Sequence, residues 1–221
     1  MRKVLITGAS DGIGRAIALK LAVDYELVLF GRDEQKLQKV ADECGGAEMY
    51  AFDLNDNEAR ARVLAQIKDV DVLINNAGVW QKMGGLESVS DEDIVTILNT
   101  NLVSQILLTK ALLPQMKGRA GAAIINVISK SGVVAQEGQS VYTASKYGMR
   151  GFTDVLRIDT KEDPIQIGAV YQSGTNTKMF EKTGDQPPVE TFTEPEDLAE
   201  VIRFMLERPK KLWLNEVRVE K

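Results

Sequence analysis

Lys3-Val4-Leu5-Ile6-Thr7-Gly8-Ala9-Ser10-Asp11-Gly12-Ile13-Gly14 is the stretch that decides the architecture. Lys3–Thr7 is short and aliphatic and reads as a strand, whereas Gly12–Asp24 carries the periodicity of a helix. Between them the glycines are spaced Gly-x-x-x-Gly-x-Gly. Small residues there let the main chain turn sharply and approach a bound anion, whose charge meets the helix N-terminus. The spacing alone is weak, because any tight strand-to-helix turn favours glycine. Its place directly after the first strand of an alternating chain turns it into an expected phosphate cradle. Gly8, Ser10, Asp11, Gly12, Ile13 and Gly14 are its expected contacts.

Outward from this turn, β-rich apolar runs alternate with longer amphipathic ones. Strands are expected at Lys3–Thr7, Glu26–Phe30, Glu48–Phe52, Val70–Asn75, Ala122–Ile128, Ile165–Val170 and Leu212–Val219. Helices are expected at Gly12–Asp24, Glu34–Glu43, Asn57–Ile67, Asp91–Lys117 (with Ser90 as N-cap), Tyr142–Lys161 and Pro195–Glu207. The strands are continuous Val, Ile and Leu runs, as when helices cover both faces of a parallel sheet. The fold class is therefore α/β: a single-domain, Rossmann-type, doubly wound parallel sheet of about seven strands. One irregular stretch, Ser173–Glu194, holds Pro187-Pro188. Long unstructured connections in compact domains tend to be functional, so it is expected to be a substrate lid with a helical turn near Lys178–Lys182.

Composition narrows the chemistry. A chain of 221 residues with 44% apolar and 27% charged residues suits one globular domain. A formal net charge of −5 argues against a nucleic-acid surface, and short basic runs such as Lys210–Lys211 read as solvated charge. No run of about 20 apolar residues is evident, so no membrane partner is expected. The basic, briefly apolar start reads as a first strand and not a signal peptide, and a cytoplasmic location is expected. The single cysteine, Cys44, permits no intrachain disulfide. Histidine is absent altogether. This excludes Ser-His-Asp and Cys-His nucleophiles and makes a zinc site improbable, so no metal is expected.

Two further stretches carry chemistry. Gly31-Arg32-Asp33 ends the second strand, where an acid would hold the ribose hydroxyls of NAD and an arginine would suit the extra phosphate of NADP. Gly31 occupies the tip and Arg32 follows, so the balance leans to NADP(H). Ser10 could add a hydroxyl, while Asp11 and Asp33 act against it. Tyr142-Thr143-Ala144-Ser145-Lys146 opens a helix, and residues four apart share a face. A free phenol titrates near ~10, and a nearby cation favours its ionised form. Alone, Tyr-x-x-x-Lys is common and would read as a packed tyrosine with a solvated lysine.

In company it reads differently, because the sequence resembles the short-chain dehydrogenase/reductase family from Thr7 to the last strand. The glycine motif matches, as do Asp53-Leu54, Asn75-Asn76-Ala77-Gly78 after the fourth strand, Asn101, and Ser129 placed 13 residues before Tyr142. The resemblance implies a hydride-transferring oxidoreductase. In it Tyr142 is the acid–base, and Lys146 holds the nicotinamide ribose and lowers the tyrosine pKa. Ser129 donates to the substrate oxygen, and Asn101 holds a relay water. It also implies cofactor contacts from Asp53, Leu54, Asn76, Ala77, Gly78, Thr175 and Thr177. Two departures stand out. Ile128-Ser129 replaces a Ser-Ser pair, and Gln172-Ser173 replaces the Pro-Gly after the sixth strand.

The expected substrate pocket is lined by Val79, Trp80, Met83, Lys130, Val133, Val134, Met179 and Phe180. It suits a small to medium hydrophobic carbonyl or alcohol. Alternatives left open are an NAD-dependent dehydrogenase of a hydroxy acid, sugar or steroid, and a non-catalytic dinucleotide-binding redox sensor. The apolar helices Asp91–Lys117 and Tyr142–Lys161 lead to an expected homodimer or homotetramer.

Overall fold

A computed structural model describes every residue except Lys210 and Lys221; Lys210 of the Lys210–Lys211 run thus lies outside the described residues. The strands are β1 (Arg2–Thr7), β2 (Tyr25–Gly31), β3 (Glu48–Ala51), β4 (Val72–Asn75), β5 (Ala123–Val127), β6 (Gln166–Gln172) and β7 (Glu216–Val219). They form one sheet in the order β3-β2-β1-β4-β5-β6-β7, parallel at every pairing. The strand order reverses between β1 and β4, the crevice in which open α/β sheets take ligands.

Alternating side chains feed two cores. Val4 and Ile6 of β1, Leu27 and Leu29 of β2, and Val72 and Ile74 of β4 face one side. There they meet α1 (Gly12–Leu21), α2 (Glu34–Glu43) and α7 (Pro195–Leu206). Leu5, Val28, Leu73 and Ile124 face the other side, against Leu108, Leu112 and Met116 of α5 (Ser104–Met116) and Leu156 of α6 (Ser140–Asp159). α3 (Asn57–Leu64) closes the β3 end of that layer through Val63 and Leu64. Burial on both faces is what the continuous apolar runs require.

Several boundaries differ from expectation. The helix expected over Asp91–Lys117 is α4 (Asp91–Leu98), a π-helical turn (Asn99–Val103) and then α5. Ser90 caps α4 by accepting from the Asp93 amide. β4 starts at Val72 and β7 at Glu216. The Leu212–Leu214 part of the last apolar run turns instead of pairing, and Asn215 only begins the ladder by accepting from the Ala169 amide. Trp213 there donates Nε1 to the Ile167 carbonyl, and its indole lies where a Cβ on Gly168 would be 3.0 Å away. It plugs the sheet edge. Asp91–Met116 is long and apolar enough on average to cross a bilayer, although it carries Asp91, Glu92, Asp93 and Lys110. Here Leu108, Leu112 and Met116 of this run cover the sheet.

Candidate active site

The cradle is set by what its glycines leave out. A Cβ on Gly14 would lie 2.2 Å from the Gly8 carbonyl oxygen and 2.6 Å from Asn76 Nδ2. One on Gly8, where φ is +68°, would lie 2.9 Å from the Cα of Ala77. The three-residue gap thus lets β1, the first turn of α1 and the segment after β4 touch through their backbones. Thr7 ties them: its hydroxyl accepts from the amides of Asn76 and Ala77, both at 2.9 Å. Asn76 Nδ2 donates back to the carbonyls of Thr7 and Gly8. Asp11 caps α1 by accepting from the Gly12 amide at 2.9 Å.

At the tip of β2 a Cβ on Gly31 would lie 3.1 Å from Ser10 Cβ, so the missing side chain lets Ser10 pack against the strand tip that Arg32 follows. Asp33 caps α2 through the Lys36 amide. Lys36 was not anticipated. Its ammonium lies 3.7 Å from Asp11 and 3.9 Å from Asp33, offsetting the two acids that argued against a phosphate. Its signal in the sequence was its place one helical turn beyond Arg32.

Tyr142 and Lys146 are buried on α6, with the Lys146 Nζ 5.5 Å from the Tyr142 ring centroid. Burial pushes the phenol up to about 12, while a hydrogen bond with Ser129 works against it. Burial also pulls the Lys146 ammonium down to about 8. Desolvation dominates both groups, raising the phenol and lowering the ammonium. Asn101 is fully buried in the π-helical turn. Its Oδ1 accepts from the Val79 amide, and its Nδ2 donates to the Val79 carbonyl and the Ser145 hydroxyl. Its side chain thus pins the loop after Gly78 to α6.

A cavity of about 1020 Å³ joins these parts. Gly8, Ser10, Asp11, Gly12, Ile13 and Arg32 line its cradle end, and Asp53, Leu54, Asn76, Ala77 and Gly78 its floor. Ser129, Tyr142 and Lys146 line the other end, Thr175 also lines the cavity, and Thr177 reaches back to the cradle, its Cγ2 3.1 Å from where a Cβ on Gly12 would stand. Of the expected catalytic and cofactor-binding residues, Gly14 and Asn101 alone do not line the cavity. Val79, Trp80, Met83, Lys130, Met179 and Phe180 line it as expected, whereas Val133 and Val134 do not. Val133 packs against the Ile128 core and Val134 is exposed, because the chain after Ser129 curls into a short 3-10 turn, Lys130–Gly132.

The segment 173–194 covers the far end with 3-10 turns at Glu181–Thr183 and Val189–Thr191 and a bridge between Thr175 and Thr193. Trp80 stacks edge-on against both Tyr142 (4.7 Å) and Phe180 (5.0 Å), and Phe180 meets Phe192. Trp80 Nε1 donates to Asp185 at 2.7 Å, a link that sequence spacing could not suggest across 105 residues.

An open parallel sheet with a glycine-built cradle at its reversal point defines a dinucleotide-binding domain. Comparison with known proteins gives the family. A family model described as short chain dehydrogenase matches residues 2–188. A sepiapterin reductase of Chlorobaculum tepidum is 31% identical over 230 residues, covering 97% of this chain and 93% of the relative. An NADP-dependent 3-hydroxy acid dehydrogenase of Salmonella typhi is 32% identical over 231 residues, covering 98% and 93%. The solved closed form of a serine dehydrogenase complexed with NADP+ superposes with a TM-score of 0.90 at 27% identity, covering 98% of this chain and 94% of that one. A 3-ketoacyl-(acyl-carrier-protein) reductase of Brucella melitensis complexed with NADH gives 0.85 at 27%, covering 99% and 95%. The chain belongs to the short-chain dehydrogenase family and is an oxidoreductase of that family.

Proposed function

We propose that this protein reduces small to medium hydrophobic carbonyls with NADPH, Tyr142 giving the proton to the nascent alcohol oxygen. The observation that carries the reading is the meeting of Tyr142, Lys146 and Ser129 at one end of a cavity whose other end is the glycine cradle. The residues fit a nicotinamide dinucleotide: Gly8, Ser10, Gly12 and Ile13 line the cavity at the N-terminus of α1, whose first turn suits a pyrophosphate. Arg32, Ser10 and Lys36 would hold the 2′-phosphate. Asp53 and Leu54 would flank the adenine, and Asn76, Ala77, Gly78, Thr175 and Thr177 the nicotinamide half. When bound, the cofactor supplies the hydride.

The chain's own groups do the rest. Ser129 donates to the carbonyl oxygen as charge develops on it. A phenol titrating near 12 keeps its proton at neutral pH and can donate it in the reducing direction. Lys146 holds the ribose, and Asn101 holds the Val79 loop against α6. Trp80, Met83, Phe180 and Phe192 exclude water and favour an apolar substituent. The segment 173–194 would act as the lid. A second reading, NAD-dependent oxidation of a hydroxy acid, sugar or steroid, is favoured by Asp11 and Asp33 beside Lys36. A homodimer or homotetramer belongs to the same proposal, on exposed Val95, Val103 and Val155, as does a cytoplasmic location.

The test is turnover of a panel of aldehydes and ketones, 4-nitrobenzaldehyde and ethyl acetoacetate included, with NADPH and with NADH. Tyr142→Phe should lose about 10²–10⁴-fold in kcat with little change in NADPH affinity. Equal turnover by both proteins would overturn the mechanism. A higher kcat/KM with NADH would give the cofactor to the second reading.

A further inference from the structure

α6 carries Tyr142 and Lys146, yet its own N-terminus lacks a cap. Gln139, at the N-cap position, makes no capping bond, and there is no acid in the first turn. Its side chain is engaged elsewhere, accepting from the Ser131 hydroxyl at 3.1 Å. The first amides of a helix have no partner within the helix and must be satisfied from outside. Here the partner comes from about 60 residues away in sequence. Gln81 Oε1 accepts from the amides of Val141 (2.9 Å) and Tyr142 (3.0 Å). Its Nε2 donates to the carbonyl of Gly138, just ahead of the helix, at 3.2 Å. The side chain is 1% exposed and does not face the cavity.

The placement of Gln81 in the chain gives the contact its consequence. It directly follows Trp80, which packs on the Tyr142 ring, and lies two residues after Val79, which Asn101 binds. We infer that Gln81 is a positioning residue for catalysis: it holds the Tyr142 backbone amide to the loop that forms the cavity wall and so fixes where the phenol stands. This rests on the reading of Tyr142 as the proton donor. A displacement of about 1 Å at a reacting group can lower turnover by about 100-fold while leaving remote binding intact. A residue that merely supported the fold would weaken cofactor binding and turnover together.

The experiment uses the full chain with NADPH and 4-nitrobenzaldehyde, and amide exchange as a readout that needs no substrate. Gln81→Met keeps the volume but removes the acceptor. It should lower kcat by about 10- to 100-fold with the NADPH Kd within about twofold. Exchange at the Val141 and Tyr142 amides should quicken by about 3- to 30-fold, the usual effect of losing a helix cap, while Met149–Leu156 is unchanged. Gln81→Glu keeps acceptors for both amides, and the Gly138 carbonyl retains its bond from the Gly84 amide, so it should recover most of the lost kcat. Should Gln81→Met not fold, Gln81→Asn, one methylene too short to reach, takes its place. Wild-type kcat in the folded variant, an equal loss in the Glu variant, or NADPH binding lost in step with kcat would each overturn the inference. Tyr142→Phe run alongside separates the two failures. If it is inactive while Gln81→Met is fully active, only the role of Gln81 falls. If it is fully active, the proton-donor reading falls.

Discussion

The two ends of the cavity are built by opposite means. The cradle end is backbone against backbone: Gly8, Gly14 and Ala77 meet at distances that leave no room for one more carbon. The end covered by the segment 173–194 is side chain against side chain: Trp80, Phe180 and Phe192 lean on one another, and one carboxylate, Asp185, ties that segment to the wall. Contacts of the first kind are all-or-none, because neither partner can turn away. Contacts of the second kind can be exchanged one residue at a time. Under the proposed function, the rigid seat would serve the part of the ligand that every turnover shares, and the adjustable end would meet the part that defines specificity.

The largest effect should come from the rigid end. Gly14→Ala places a methyl against the Gly8 carbonyl and should lower stability by about 1–3 kcal/mol. NADPH binding should weaken with it, by at least about tenfold. Thermal unfolding and a fluorescence titration would show both, and a variant that binds as wild type would mean the cradle yields after all. A smaller and more selective effect belongs to the segment 173–194. Asp185→Ala removes the acceptor for Trp80 Nε1, the Met83 amide and the Thr183 hydroxyl. It should raise the KM for the carbonyl by about tenfold, a loss expected of a hydrogen bond to a charged group, with the NADPH Kd unchanged. If both constants moved equally, the two ends would not be separable in the way the geometry draws them.

The same contrast governs what could be read in the sequence. The cradle was legible because steric necessity fixes residue type and spacing together: Gly8, Gly12 and Gly14 have no substitutes there. Tyr142 and Lys146 were legible from helical spacing, and their shared burial followed once α6 was placed. Their electrostatics were not, since the rise of the phenol and the fall of the ammonium come from desolvation that only the folded packing creates. The π-helical turn at Asn99–Val103 could not be read, because no glycine or proline signals it and its polar start, Asn99-Thr100-Asn101, is also what a helix face presents. Gln81 and Asp185 are polar residues in loops, where their partners lie far along the chain. The sequence placed the start of this helix at Tyr142, two residues late, so the missing cap at Gln139 shows only in the fold.

The account depends on a protonated phenol working beside a buried lysine that is charged at neutral pH. The pH dependence of reductive kcat/KM tests this most directly. Because burial sets the Lys146 ammonium near 8, the wild-type rate should be level below that pH and fall as the lysine loses its proton above it. The residual rate of Lys146→Met should show no such fall there. A wild-type profile that stays flat through pH 8–10, or an inflection that survives in Lys146→Met, would contradict the account.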